Sequence, residues 1–163
     1  MRKWMALILV LPLCLCACER ETLTDPVLFC EGFNSRSAEQ IAESDAYLRS
    51  DQEVMLFAGE AVIRLRMNED GAIHTAVVSA DDSERAAEVC ENAFAVLAEP
   101  FSESVPPQVI TLCRSPALTV QTAGTKRFYY AVFCDGQTFT AVQINRLLSA
   151  IPILPTLRLP ESE

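Results

Sequence analysis

Alternation of apolar and polar residues predicts a β-hairpin in the middle of the chain. In residues 61–67 every second side chain is apolar, and Arg64 and Arg66 occupy the opposite face. Asp70-Gly71 is typical of a tight turn, and a three-residue loop would place its last residue, the glycine, in the left-handed conformation. The loop sets a register with the apolar residues on one shared face: Met67 opposite Ile73, Leu65 opposite Thr75, and Ile63 opposite Val77.

A helix with one apolar stripe follows this hairpin. Asp81 can cap its first turn, and Glu84, three residues later, completes a capping box. The apolar stripe recurs at helical spacing, at Ala86, Cys90, Ala93 and Leu97. Pro100 ends the helix, because proline cannot continue the backbone hydrogen bonds. This pattern predicts that Cys90 points at the sheet.

Shorter patterns predict the remaining elements. Strands are expected at 27–30, 108–113, 117–121 and 126–134, and helices at 35–50 and about 138–149. Three prolines after residue 150 keep the tail extended, and its aliphatic residues predict that it packs along the body of the protein. The sequence therefore predicts an α+β fold, with an antiparallel sheet and helices packed on one face.

The order of predicted elements repeats. A hairpin followed by a helix is expected at 61–98 and again at 117–149. In addition, the sequence Leu28-Phe29-Cys30-Glu31-Gly32 is similar to Val132-Phe133-Cys134-Asp135-Gly136. Matches this short are explained equally well by a duplicated ββα unit and by chance.

The first eighteen residues have the layout of a bacterial secretion signal. Arg2 and Lys3 precede an apolar run of about a dozen residues, which is shorter than the roughly 20 residues of a membrane-spanning helix. Leu15-Cys16-Ala17-Cys18 resembles a lipobox, and the resemblance implies cleavage before Cys18 and lipidation of Cys18. An ordinary signal cleaved nearby and a retained anchor are the alternatives. The lipobox divides the chain into a signal peptide (1–17), a membrane tether (18–26) and a single globular domain (27–163).

The resemblance also implies a location. Glu19 follows the lipidated position, where lipoproteins retained at the inner membrane carry aspartate. We therefore expect a protein anchored by its lipid in the outer membrane and facing the periplasm.

Net charge limits the classes of partner. The formal charge of the chain is −9, and most acidic residues lie before Ser104. Nucleic-acid binding needs a basic footprint, so this class is excluded. The acidic surface either serves solubility or receives a basic partner protein.

The cysteines of the exported chain predict two disulfides. With Cys18 lipidated, Cys30, Cys90, Cys113 and Cys134 remain, an even number in an oxidising compartment. A tight turn at 122–125 between two strands would bring Cys113 opposite Cys134, and this leaves Cys30 to pair with Cys90. Zinc is the alternative, but no CxxC pair is present and the chain has one histidine.

The chain lacks the sequence motifs of the common enzyme classes. GxSxG, HExxH and a glycine-rich phosphate loop are all absent. Asp81-Asp82 begins a predicted helix, where capping explains both carboxylates. Arg64, Arg66 and His74 share a sheet face, which is interpreted as solvated rather than as an anion site. We therefore expect no enzymatic activity, no metal and no cofactor.

Two segments resemble known envelope proteins. Residues 61–112 combine a strand, the Asp70-Gly71 turn, a second strand, an alanine-containing helix, the Pro100-Phe101 break and the Val109–Leu112 strand. This pattern resembles the carboxy-terminal domain of the TonB and TolA proteins. The segment from Phe133 to Phe139, with its Cys-Asp-Gly, resembles a strand of the membrane-bound lysozyme inhibitors, which are small disulfide-bonded lipoproteins.

Three hypotheses about function follow. The first is a non-enzymatic outer-membrane lipoprotein that acts by protein contact in envelope assembly or scaffolding. The second is an acidic inhibitor or immunity protein against a basic cell-wall hydrolase or toxin. The third is small-ligand binding between the sheet and the tail.

Overall fold

One antiparallel sheet of seven strands organises the protein. The computed structural model describes residues 26–42, 48–50, 52–81, 83–115, 119–135 and 138–148. In chain order the elements are α1 (Pro26–Asn34), β1 (Leu48–Ser50), β2 (Glu53–Ala58), β3 (Ala61–Met67), β4 (Ile73–Ala80), α2 (Ser83–Ala98), a 3₁₀ turn (Glu99–Phe101), α3 (Pro107–Arg114), β5 (Gln121–Gly124), β6 (Phe128–Cys134) and β7 (Phe139–Asn145).

The helices form one layer against one face of this sheet. The strand order is β1-β2-β3-β4-β7-β6-β5, and all pairings are antiparallel. Helix α2 packs on β3, β4 and β7, α3 packs on β5 and β6, and α1 packs on α2. The fold is therefore α+β with helices on one face, as predicted.

The central hairpin forms where it was predicted, with one shift of register. Gly71 has φ +79°, the left-handed conformation expected at the end of the loop, and Met67 pairs with Ile73. The register shifts between Arg66 and Met67, so Leu65 pairs with Ala76 instead of Thr75. The predicted pairs beyond Met67 were wrong by one residue, because an extra residue in β4 forms a bulge.

Alternating side chains of the strands form the core with the helices. In β3, β6 and β7 every second residue is buried, and these residues face α2 and α3. Phe94 of α2 contacts Tyr130 of β6, with 5.7 Å between the ring centroids. The largest fully buried side chains include Tyr130, Phe29, Phe33, Phe94, Phe128 and Phe139.

One polar side chain lies in the middle of this core. Gln143 of β7 is fully buried, and its Nε2 donates to the Phe94 carbonyl oxygen and to the Tyr130 hydroxyl, each at 3.2 Å. These bonds satisfy the buried donor, which would otherwise cost about 1–3 kcal/mol. They also connect β7, β6 and α2 at a single point.

Residues 108–113, predicted as a strand, are part of helix α3. Pro107 is the first residue of the helix, where its missing N–H costs nothing. Val109 and Cys113, four residues apart, are the buried side chains of this helix. Over so short a segment the apolar residues fit both the helical and the strand period. The proline at the first helical position is the signal that favours the helix.

The helix predicted at 138–149 was also wrong, because residues 139–145 form strand β7. Phe139, Ala141, Gln143 and Asn145 are buried, while Thr140, Val142 and Ile144 are partly exposed on the other face. This alternation and the β-branched residues favour a strand. The second predicted ββα unit is therefore the three-stranded arrangement β5–β6–β7, and the proposed duplication is not present.

The amino-terminal elements differ from those predicted too. Residues 27–30 lie in helix α1, whose Phe29, Cys30 and Phe33 are buried on one side, and not in a strand. In place of a helix over 35–50, the described residues contain turns, a bridge at Ile41 and strand β1. The predicted tail packing and the signal peptide fall outside the described residues.

Candidate functional site

The four cysteines that were predicted to pair lie on four different elements. Cys30 lies on α1, Cys90 on α2, Cys113 on α3, and Cys134 at the end of β6. No disulfide joins these described cysteines, so the predicted disulfide-stapled domain is not observed. The predicted lipidation site, Cys18, lies outside the described residues.

The predicted pairing of Cys113 with Cys134 failed because of the turn on which it depended. Gln121–Gly124 is strand β5, which pairs with Tyr129–Val132, so the turn is Thr125 to Arg127 and not 122–125. Thr125 Oγ1 accepts hydrogen bonds from the backbone N–H groups of Arg127 and Phe128, which fixes this later turn. Cys113 is therefore on a helix, and it is not in the strand ladder of Cys134.

The sheet face that points away from the helices is the main candidate for function. We call it the open face, formed by the outward side chains of β2, β3, β4, β6 and β7. Its centre is apolar and consists of Val62, Val77, Tyr129, Ala131, Val142 and Ile144, which are all partly exposed. Strand register brings Val77 opposite Val142, and Val142 opposite Ala131.

The exposure of the open face increases toward β2. Phe57, on β2, exposes 39% of its surface and pairs with Val62 of β3. Next along the same row, Ser79 and Thr140 form a hydrogen bond of 3.4 Å between their hydroxyl oxygens. An antiparallel sheet commonly has one solvated face, but that face is usually polar. A contiguous apolar surface on it is typical of an interaction site.

Basic side chains lie at one side of the apolar centre. Arg64 and Arg66 project from β3 and are both exposed, and Arg66 Nε contacts Glu53 Oε2 at 3.0 Å. His74 lies near Arg66, and its Nδ1 is 2.7 Å from the Thr75 hydroxyl. Partial burial, and then the charge of Arg66, lower the pKa of His74. The open face thus carries positive charge in a chain that is acidic as a whole.

Sequence reasoning found the charged part of this face and missed its apolar part. The alternation in β3 indicated that Arg64 and Arg66 share a face. The apolar centre depends on β7, which was predicted as a helix, and the adjoining Phe57 lies on β2, which was not predicted. Alternation in Met55 and Phe57, and in Thr140, Val142 and Ile144, is the signal that could have found it.

A groove lies on the helical side of the protein. It is an open groove of about 390 Å³, lined by residues of α2 and of the segment that leads into α3. Three carboxylates border it, and each contacts an arginine: Glu91 with Arg114 at 3.5 Å, Glu99 with Arg36 at 2.6 Å, and Glu103 with Arg127 at 3.9 Å. Its acidic charge is therefore largely compensated.

Metal binding and membrane crossing have no support in the described part of the chain. No group of three or more His, Cys, Asp or Glu residues is arranged there to hold a metal ion. Among the described helices, none combines the length and the apolar character that crossing a bilayer requires. Neither finding concerns the residues outside the described ranges.

Comparison with known proteins identified no relative of this chain. No protein-family model, no curated protein and no solved structure matches the chain.

Proposed function

We propose that this protein is a non-enzymatic lipoprotein that acts by protein contact through its open face. Cys18 carries the lipid that holds it in the outer membrane, and the domain faces the periplasm. Its role belongs to envelope assembly or scaffolding. The lipobox-like residues 15–18 support the anchor, and the geometry of the sheet supports the mode of action.

The observation that carries the proposal is the apolar centre of the open face. Val77 and Val142 lie at the middle of the sheet, on β4 and β7, with neighbouring strands on both sides. Neither side chain is covered by α1, α2 or α3, which pack together on the other face. Burying apolar surface contributes about 25 cal/mol per Å², so a partner that covers this face gains free energy from the contact.

Charge complementarity defines the chemistry of the partner. Arg64 forms no ion pair in the described part of the chain, and it lies beside the apolar centre. We infer that the partner is a protein with an apolar contact surface and carboxylates at its edge. Such carboxylates would contact Arg64 and Arg66 while the apolar residues of the partner cover Val77 and Val142.

The alternative of an acidic inhibitor has less support. It requires carboxylates that are available to a basic enzyme. The three carboxylates at the helical groove already contact Arg36, Arg114 and Arg127. On the open face, Arg64 lies beside the apolar centre and Arg66 contacts Glu53, so this face does not offer a cluster of unpaired carboxylates to a basic enzyme.

A charge reversal on the open face tests the proposal. Arg64→Glu places a carboxylate beside the apolar centre, so it should repel the acidic edge of the partner. We expect in-cell crosslinking of the full-length protein to recover the partner at least tenfold less efficiently with this variant. The circular dichroism spectrum and the melting temperature should change little, because Arg64 is exposed.

Arg85→Glu is the matched control. This substitution makes the same change of charge on helix α2, away from the open face. The side chain of Arg85 is 63% exposed. Crosslinking should be unchanged in this variant. Equal loss in both variants, or undiminished crosslinking of Arg64→Glu, would contradict the use of the open face.

A further inference from the structure

Two buried cysteines meet where helices α2 and α3 pack together. Cys90 of α2 and Cys113 of α3 are both fully buried. The two thiols are close enough to influence each other's ionisation, and their helices pack together. At the next position along each helix, Arg114 Nη2 contacts Glu91 Oε2 at 3.5 Å. Two independent contacts therefore align the helices at this level.

The surroundings of the two thiols are apolar. Ala86, Ala93, Phe94 and Val109 are fully buried in the same core cluster. Burial raises the pKa of Cys90 well above its ordinary value, and the hydrogen bond with Cys113 acts in the same direction. Redox-active dithiols need an accessible thiol with a low pKa, so these two thiols do not form a redox-catalytic site.

We propose that Cys90 and Cys113 form a structural disulfide that joins α2 to α3 when the chain folds in an oxidising compartment. The two cysteines lie on facing helices at the same level, and their sulfurs are not bonded in the structure, so the bond requires the two side chains to move together. The bond would close a loop of about two dozen residues, which contains the 3₁₀ turn and most of α3. It differs from the pairings predicted from the sequence.

The oxidation is a thiol–disulfide exchange. The two thiols lose two protons and two electrons as the S–S bond forms. The electrons pass to the disulfide of an oxidant, either oxidised glutathione or a thiol oxidoreductase, whose S–S bond breaks to give two thiols. Because both thiols are fully buried in the folded protein, the bond forms while the chain is still folding.

Peptide mapping after oxidative refolding tests the pairing. The full chain is refolded from denaturant in a glutathione buffer, and the remaining thiols are alkylated in denaturant. Trypsin releases residues 86–114 as one peptide that contains both cysteines. We expect this peptide to be lighter by two hydrogens than its reduced form and not alkylated. Cleavage after glutamate then separates Cys90 from Cys113, and only reduction should release the two fragments.

The proposal is overturned by either of two results. One is alkylation of both Cys90 and Cys113 after refolding. The other is a bond from either of them to Cys30 or Cys134.

Thermal melting with and without reductant separates the bond from simple packing. We expect reductant to lower the melting temperature of the wild-type protein and of Cys134→Ala by several degrees. The melting temperature of Cys113→Ala should not respond to reductant, although the variant is less stable because a core side chain is lost. A wild-type melting temperature that is insensitive to reductant would contradict the disulfide, and the peptide map decides the pairing even if Cys113→Ala does not fold.

Discussion

Tyr130 shows how one residue links the core to the pH dependence of stability. Its side chain is fully buried, its ring contacts Phe94, and its hydroxyl oxygen accepts a hydrogen bond from Gln143. The pKa of Tyr130 is raised to about 12, mainly by desolvation; the hydrogen bond from Gln143 opposes this increase, and the charge of Glu103 adds a smaller increase. In the unfolded chain a tyrosine has a pKa of about 10.

This difference predicts a loss of stability in alkali. Below pH 10 the hydroxyl is protonated in both states, and the stabilisation is complete. Between pH 10 and about 12 the unfolded chain loses the proton while the folded protein keeps it, so the free energy of unfolding falls as the pH rises. The loss amounts to about 3 kcal/mol at most, because each pKa unit corresponds to about 1.4 kcal/mol.

Tyr130→Phe isolates this effect. Urea unfolding at pH 8 and at pH 11.5 should show a smaller decrease in the free energy of unfolding for Tyr130→Phe than for the wild type, by about 1–2 kcal/mol. Other ionisable groups titrate equally in both proteins, so their contributions cancel. An equal decrease in the two proteins would contradict the burial of the hydroxyl.

At the scale of elements, the hairpin of β3 and β4 depends on one glycine. Gly71 has φ +79°, and its N–H donates to the Asn68 carbonyl oxygen at 2.9 Å. A Cβ atom at this position would meet nothing within 4 Å. The cost of a side chain there is therefore only the cost of the left-handed backbone conformation.

Gly71→Ala should lower the free energy of unfolding by about 1 kcal/mol. Gly124→Ala is the matched control, because Gly124 lacks a positive φ and its added Cβ would make an ordinary contact of 3.5 Å with the Phe128 carbonyl oxygen. Urea unfolding of the two variants should show a loss only at Gly71. Equal stability of both variants would contradict a strained position at the turn.

The elements predicted correctly are those with strong local signals. The alternation in 61–67, the Asp70-Gly71 turn and the capped, striped helix α2 each specify a period and a boundary. Strand β7 and helix α3 were mistaken, because seven or eight apolar and polar residues fit both periods. Pro107 at the first helical position and the β-branched residues of β7 are the local signals that separate helix from strand in these two segments.

The bulge in β4 had a similar effect on the register. The residues of the turn predicted the first pair, Met67 with Ile73, correctly. No pattern in residues 61–79 indicated the extra residue in β4. The apolar part of the open face was missed for the same reason, since it combines side chains of several strands. A surface made by non-adjacent segments becomes visible only when the strand order is known.

At the scale of the whole molecule, the two faces of the sheet differ in chemistry. The helical face buries the aromatic core and the Cys90–Cys113 contact. The open face presents an apolar centre with arginines beside it. This asymmetry is the physical basis of the proposed contact through the open face.

Site-specific photocrosslinking in living cells tests this claim most directly. p-Benzoylphenylalanine replaces Phe57 on the open face, or Leu28 on α1, which is 51% exposed and serves as the control. We predict one dominant adduct from position 57, which is lost when Arg64→Glu is added and strongly reduced when Cys18→Ala removes the lipid anchor. Position 28 should not give this adduct. The same adduct from both positions, or none from position 57 in abundant lipidated protein, would contradict contact through the open face.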